Sequence, residues 1–322
     1  MLAVYAAAPN PADPLAALRV GDRPEPRPAA GWTAVKVLAA SLNHHDLWTL
    51  RGVGIAPERF PMILGCDAAG VDRDGNEVVV HGVVSDADWC GDETNDPDRH
   101  LLSEVHQGTF AEWVAVPGRN LLPKPAELST VEAACLGTAW LTAYRMLFVR
   151  SGLRPGQTVL VQGAGGGLAT ALIALGRVAG LRVWVTGRTR QKRDRAVELG
   201  AHAAFEPGAR LPAHVDAVME SVGEATWAHS LRAVRPGGTI VVSGATSGPN
   251  PPAELNRVFF RQLSVVGSTM GTRDELATLL SLLVATGVRP LVDSTFPLRR
   301  AAEGFAKMAA GDLNGKIVFT LD

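Results

Sequence analysis

Hydrophobic and polar positions along this 322-residue chain change rhythm about a third of the way in. Short β-like runs at 33–40, 77–84 and 110–116 are set apart by proline and glycine turn signals. That pattern predicts a compact β-rich domain rather than a parallel sheet. Between them, 86–106 is polar and acidic, and reads as an exposed lobe. At Ser129, with Glu132 three residues on, the spacing is that of a capping box, and apolar residues continue to Val149. Strands and helices then alternate. Strands are predicted at 158–162, 181–186, 215–219, 239–243 and 263–267, with helices at 167–180, 190–200, 224–234 and 252–261. Alternation at this spacing predicts parallel βαβ units. The tail reads strand, helix, strand at 292–296, 299–310 and 316–321, and is expected to return to the first domain.

Chemistry enters at the turn after the first of these strands. Gly163, Gly166 and Gly167 crowd it, with Leu168 and Ala169 opening an apolar helix. Glycines there let backbone N–H groups approach an anion, and the helix N-terminus adds a favourable dipole. The spacing is not a clean GxGxxG, and a tight turn built only for close packing is the competing reading. The end of the next strand decides between them. A fold binding NAD places an acid there for the ribose 2′-hydroxyl. Here Gly187 stands in that place, and four cations fall within the next six positions, Arg188-Thr189-Arg190-Gln191-Lys192-Arg193. Arg188 with Lys192 would attract a 2′-phosphate that a carboxylate would repel. NADPH is the expected cofactor.

Charge adds mostly exclusions. With 31 basic and 32 acidic residues the net charge is −1, so no global field points to nucleic acid or an anionic membrane. Cys66, Cys90 and Cys135 form no CxxC and no disulfide framework, which fits a reducing, cytoplasmic setting. The start, MLAVYAAAP, lacks the charged region of a signal peptide. No apolar run reaches the ~18 residues of a membrane span.

Several motifs together resemble the medium-chain dehydrogenase/reductase superfamily over essentially the whole chain. They are Asn43-His44-His45-Asp46-Leu47 with Arg51-Gly52, Leu64-Gly65-Cys66-Asp67-Ala68-Ala69-Gly70, and Gly108-Thr109-Phe110-Ala111-Glu112. Leu141-Thr142-Ala143-Tyr144, Glu220-Ser221-Val222-Gly223 and Gly315-Lys316-Ile317-Val318 complete the set. Within the superfamily the chain is most similar to the zinc-independent quinone oxidoreductase and enone reductase branch. The resemblance implies an α/β fold, with a Rossmann-type doubly wound parallel sheet and a β-rich GroES-like domain completed by the C-terminus. The implied domains are 1–123 with 289–322, for substrate, and 124–288, for the dinucleotide. It also implies further cofactor contacts at Ser221, Val222 and Gly223, at Ser243, Gly244 and Ala245, at Ser268 and Met270, and at Lys316 near the diphosphate. A homodimer or dimer of dimers is implied, with the 263–267 edge strand a plausible contact between subunits.

Zinc alcohol dehydrogenases of this superfamily hold their catalytic metal at positions that here carry Asn43, Cys66 and Thr138, with Asp67 in place of a glutamate. One soft ligand beside an amide and a hydroxyl makes no tetrahedral zinc site, so no metal is expected. The 86–106 stretch holds only Cys90 of a four-cysteine lobe, and no known ligand spacing. Without a Lewis acid, hydride transfer favours acceptors that delocalise negative charge, such as quinones and conjugated enones. The donor candidates are Asn43, His44 and His45; an imidazole can donate near neutral pH. A histidine pair at a helix start is equally often a capping or solvent-facing feature. The leading expectation is thus an NADPH-dependent, zinc-free reductase of a small molecule, passing hydride to a quinone or α,β-unsaturated carbonyl. An alcohol or carbonyl dehydrogenase, with or without metal, stays open, as does a non-catalytic NADPH-binding sensor.

Overall fold

A computed structural model describes residues 1–321, which form two compact units, 1–141 with 270–321 and Thr142–Thr269. In the second unit six strands form one parallel sheet. Their spatial order is Ala203–Phe205, Arg182–Thr186, Thr158–Val161, Val215–Glu220, Val234–Val242, Ser264–Gly267. The inner strands are nearly continuous apolar runs because helices cover both faces; Val159, Leu160 and Val161 are all buried. The order reverses direction between Thr158–Val161 and Val215–Glu220, which places the ligand crevice of a doubly wound sheet beyond the carboxyl ends of those two strands. This is the expected Rossmann-type sheet.

Two of its strands depart from expectation. Ala203–Phe205 is a strand where the sequence pattern predicts none. The strand expected to begin at residue 239 begins at Val234: it pairs Val215 with Val234, then skips to Ala217 with Thr239. Arg235, Pro236, Gly237 and Gly238 fill that irregularity. Proline and glycine are tolerated at a bulge, where a ladder hydrogen bond is already missing.

In the first unit a seven-stranded sheet runs Leu121–Pro123, Glu77–Val80, Asp67–Val71, Trp32–Ser41, Lys316–Thr320, Val292–Pro297, and Trp113–Pro117 also pairs with Trp32–Ser41. The C-terminal strand lies antiparallel on Trp32–Ser41, matching Val318 to Ser41. The tail thus completes the β-rich domain, as expected. Phe110, Phe305 and Phe319 meet in the core; Phe110 packs edge-on to Phe319 at 5.0 Å. The acidic lobe is less open than its composition implied. Thr94, Asp96, Leu102 and Ser103 are buried, and His100–Leu101 pairs with Val83–Val84. Arg119 holds the lobe by donating to the carbonyls of Ser85, Asp86 and Ala87. Among the described residues, no helix is long and apolar enough to cross a membrane.

Candidate active site

In the first unit the strand Trp32–Ser41 delivers the chain to Asn43, which precedes the helix His44–Arg51. Asp46 is fully buried and does two things at once. Its Oδ2 accepts from the Asn43 backbone N–H (2.8 Å), and its Oδ1 from the Gly65 N–H (2.8 Å). That ties the helix start to the Gly65-Cys66-Asp67 turn. Burial raises the Asp46 carboxyl to about 6 against the pull of His45 and the two amides.

Behind the helix start lies a closed buried network. Asp67 Oδ2 accepts from Ser41 Oγ (2.8 Å), Asn43 Nδ2 (2.9 Å) and Lys316 Nζ (3.3 Å), and Oδ1 accepts from Thr138 Oγ1 (2.6 Å). Lys316 Nζ also donates to the Leu42 carbonyl (2.9 Å) and Asn43 Oδ1 (2.6 Å). Its three protons are thereby engaged, so the diphosphate contact implied for Lys316 has no proton left to make it. The Asn43 amide is in the same position: its two protons go to Asp67 and to the Ser41 carbonyl.

His45 stands in a second chain of contacts. Nε2 meets Glu104 Oε1 at 3.1 Å, and Nδ1 meets Cys66 Sγ at 3.3 Å and Ser103 Oγ at 3.5 Å. Burial works against a charge on this imidazole, but the Cys66 sulfur, Glu104 and Asp46 outweigh it and hold the pKa well above the usual histidine value. Burial pushes the Cys66 thiol up, and it donates to the Leu102 carbonyl (3.1 Å). Glu104 and Ser103 escaped the sequence reading because they sit in the acidic lobe, where nothing in the local pattern points at residue 45. His44 is the contrasting neighbour. It projects outward with no hydrogen-bond partner among the described residues, and crowding, then the charges of Lys316 and Arg51, lower its pKa.

In the second unit the residues expected to contact a dinucleotide follow the carboxyl ends of its parallel strands. Gly163 has φ +95°, which only glycine adopts cheaply, and its N–H donates to Thr186 Oγ1 (3.1 Å). Gly166 caps the helix Gly167–Val178, whose first turn carries Leu168 and Ala169. A Cβ built on Gly166 would meet nothing within 4 Å, so the turn opens onto free space. At the next crevice strand, the buried Glu220 carboxylate accepts from the Val222 N–H (2.8 Å), the Gly223 N–H (3.1 Å) and Ser230 Oγ (2.6 Å). It clamps the 221–223 turn. Gly244 and Ala245 follow Val234–Val242 and approach Ser221 and Gly223. Thr189 caps the helix Arg190–Glu198 by accepting from the Lys192 N–H (3.2 Å). Met270 is buried with φ +47° and belongs to the first unit.

Residues 167–285 match the family described as zinc-binding dehydrogenase, and 29–126 match the alcohol dehydrogenase GroES-like domain. A solved NAD-dependent alcohol dehydrogenase superposes with a TM-score of 0.92 at 32% identity, covering 100% of both chains. The chain belongs to the medium-chain dehydrogenase/reductase superfamily. Its similarities spread over several activities within that superfamily. It is 29% identical to a crotonyl-CoA carboxylase/reductase of Cereibacter sphaeroides, over 85% of this chain and 76% of that one. It is 25% identical to a quinone oxidoreductase of Mus musculus, over 92% and 91%. This medium-chain dehydrogenase/reductase is an NAD(P)-dependent oxidoreductase.

Zinc and dinucleotide fare differently against the residues of this family member. Among the described residues the one cluster with metal-ligand potential is His45, Asp46 and Cys66, whose ligand atoms lie within 4.8 Å of one another. The donors do not fit zinc. The Cys66 thiol is engaged with the Leu102 carbonyl, both Asp46 oxygens already hold backbone N–H groups, and His45 is engaged on both nitrogens. Asn43 and Thr138, at the other ligand positions, are spent on Asp67. Cys90, in the lobe, is exposed, and its Sγ donates to the Asp88 carbonyl (3.6 Å). The dinucleotide, by contrast, fits. Ser243 and Ser268 bury hydroxyls with no hydrogen-bond partner, an arrangement native proteins keep for a ligand or water. Gly163 and Gly166 leave a cradle that side chains would fill, and Arg188 is exposed with no ion pair among the described residues.

Proposed function

We propose that the protein is an NADPH-dependent reductase that works without zinc and passes hydride to a quinone or an α,β-unsaturated carbonyl compound. The observation that carries this reading is the closed Asp67–Lys316–Asn43 network. It engages Asn43 and Thr138, two of the three positions that hold the metal in zinc alcohol dehydrogenases of the superfamily, in hydrogen bonds within the chain. Bound NADPH supplies the hydride. Gly163, Gly166 and Gly167 receive the diphosphate at the helix N-terminus, Ser243 and Ser268 offer their free hydroxyls, and Arg188 with Lys192 faces the 2′-phosphate. Negative charge arriving on the acceptor oxygen needs a donor or delocalisation. Asn43 and His45 hold the local geometry, since their donors are engaged. His44, neutral and unpartnered, is the side chain of this group able to donate an N–H to that oxygen.

The test is oxidation of NADPH against NADH after exhaustive chelation, with quinone, 2-alkenal and simple-ketone acceptors. Turnover with NADPH on the conjugated acceptors alone is the expected result. Activity that returns only with added zinc would establish the metal-using alcohol or carbonyl dehydrogenase. Tight cofactor binding with no turnover on any acceptor would establish a sensor.

The same reading includes a homodimer. Ser264–Gly267 ends its sheet, with Val265 exposed, and the adjoining helix Leu255–Phe260 exposes Leu255, Phe259 and Phe260, the last at 82%. An edge strand beside an apolar patch invites pairing with a second copy. Replacing Val265 and Phe260 together with aspartate should shift the mass measured by light scattering from dimer to monomer. An unchanged mass places the contact elsewhere.

A further inference from the structure

The glycine at the position of the ribose-binding acid has a neighbour that explains why it is glycine. A Cβ on Gly187 would meet Arg193 Cγ at 2.9 Å and Ala164 Cβ at 3.2 Å. Arg193 is held from two sides. Its Nη1 donates to the Gly187 carbonyl (2.9 Å), and its Nη2 pairs with Glu206 Oε1 (3.0 Å). The side chain is 18% exposed, so its stem lies packed along the strand end while its head is clamped from two sides. Arg190 is exposed and pairs with Asp194 one helical turn on (3.5 Å). Of the three arginines in the run, only Arg188 is left facing solvent without an ion pair among the described residues.

We infer that Arg193 is a specificity-determining residue that acts by excluded volume: its clamped stem keeps any side chain, and with it any ribose-binding carboxylate, off position 187. This rests on the NADPH reading above and deepens it. Preference for the phosphorylated cofactor then has two separable parts, attraction by Arg188 and steric denial of the acid by Arg193. The Glu206 carboxylate contributes indirectly, because its ion pair fixes the guanidinium and its own charge is neutralised near where a 2′-phosphate would arrive.

The experiment uses the full chain, with dissociation constants for NADH and NADPH from tryptophan fluorescence and Tm from thermal denaturation. Four proteins are compared: wild type, Gly187→Asp, Arg193→Ala and the double variant. In Gly187→Asp, NADPH binding falls while NADH binding stays within about threefold of wild type, because the carboxylate cannot be seated. In the double variant NADH binds at least about tenfold more tightly than in Gly187→Asp. Strong NADH binding by Gly187→Asp alone overturns the inference, as does a double variant no better than it. A second cycle needs no cofactor. Gly187→Ala lowers Tm more in the wild-type background than in Arg193→Ala, where only the Ala164 contact remains tight; equal losses in both backgrounds overturn the packing argument. If wild type does not prefer NADPH, the cofactor reading fails by itself, and this Tm cycle still decides whether Arg193 guards the position.

Discussion

Replacing Lys316 with methionine is expected to destabilise the protein by about 3–5 kcal/mol, the usual cost of stranding one member of a buried ion pair. The lysine is 2% exposed and Asp67 fully buried. After the substitution Asp67 would keep three neutral donors, Ser41, Asn43 and Thr138, but no counter-charge. The Leu42 carbonyl and Asn43 Oδ1 would lose their donor as well. Urea denaturation should show the loss, and Asp67→Asn should cost a comparable amount by leaving an ammonium unpaired. The double variant should recover much of it, because two neutral groups of similar shape avoid the desolvation penalty. Losses that simply add would mean that the two charges do not interact.

The second large effect concerns binding. Arg188→Ala should weaken NADPH binding tenfold to a hundredfold, roughly 1.5–3 kcal/mol for one charge-assisted phosphate contact, and leave NADH unchanged. Arg190→Ala is the internal control, since its guanidinium is already directed to Asp194. Titration calorimetry with both cofactors decides the matter. Equal losses for NADH and NADPH would mean that Arg188 does not read the 2′-phosphate.

Local pattern carried the second unit well. Parallel strands buried on both faces read as short continuous apolar runs, and a glycine-rich turn followed by an apolar helix marks its own place in a sheet. It failed where local chemistry misleads. Ala203–Phe205 is three half-buried residues without a β-branched side chain, too little to register. Pro236, Gly237 and Gly238 look like a turn, yet they sit in an irregularity inside the strand Val234–Val242.

The candidate site divides in the same way. Asn43, His44 and His45 could be named from motif position, but what each can do could not. Asn43 and His45 turned out to be engaged with Lys316 and Asp67, and with Cys66 and Glu104, while His44 stayed free. Lys316 reaches Asp67 across 249 residues of chain, and Glu104 reaches His45 across 59. From its sequence alone this protein was legible as a two-part α/β dehydrogenase with a nucleotide turn, an acid missing at Gly187 and cations after it. Periodicity and turn chemistry are local properties that each segment carries with it. Which donors remain free, which arginine lacks an ion pair among the described residues and what engages Asn43 and Thr138 were decided only in the folded chain. A hydrogen-bonding group can be spent only once, and its partner comes from whichever distant segment the fold brings beside it.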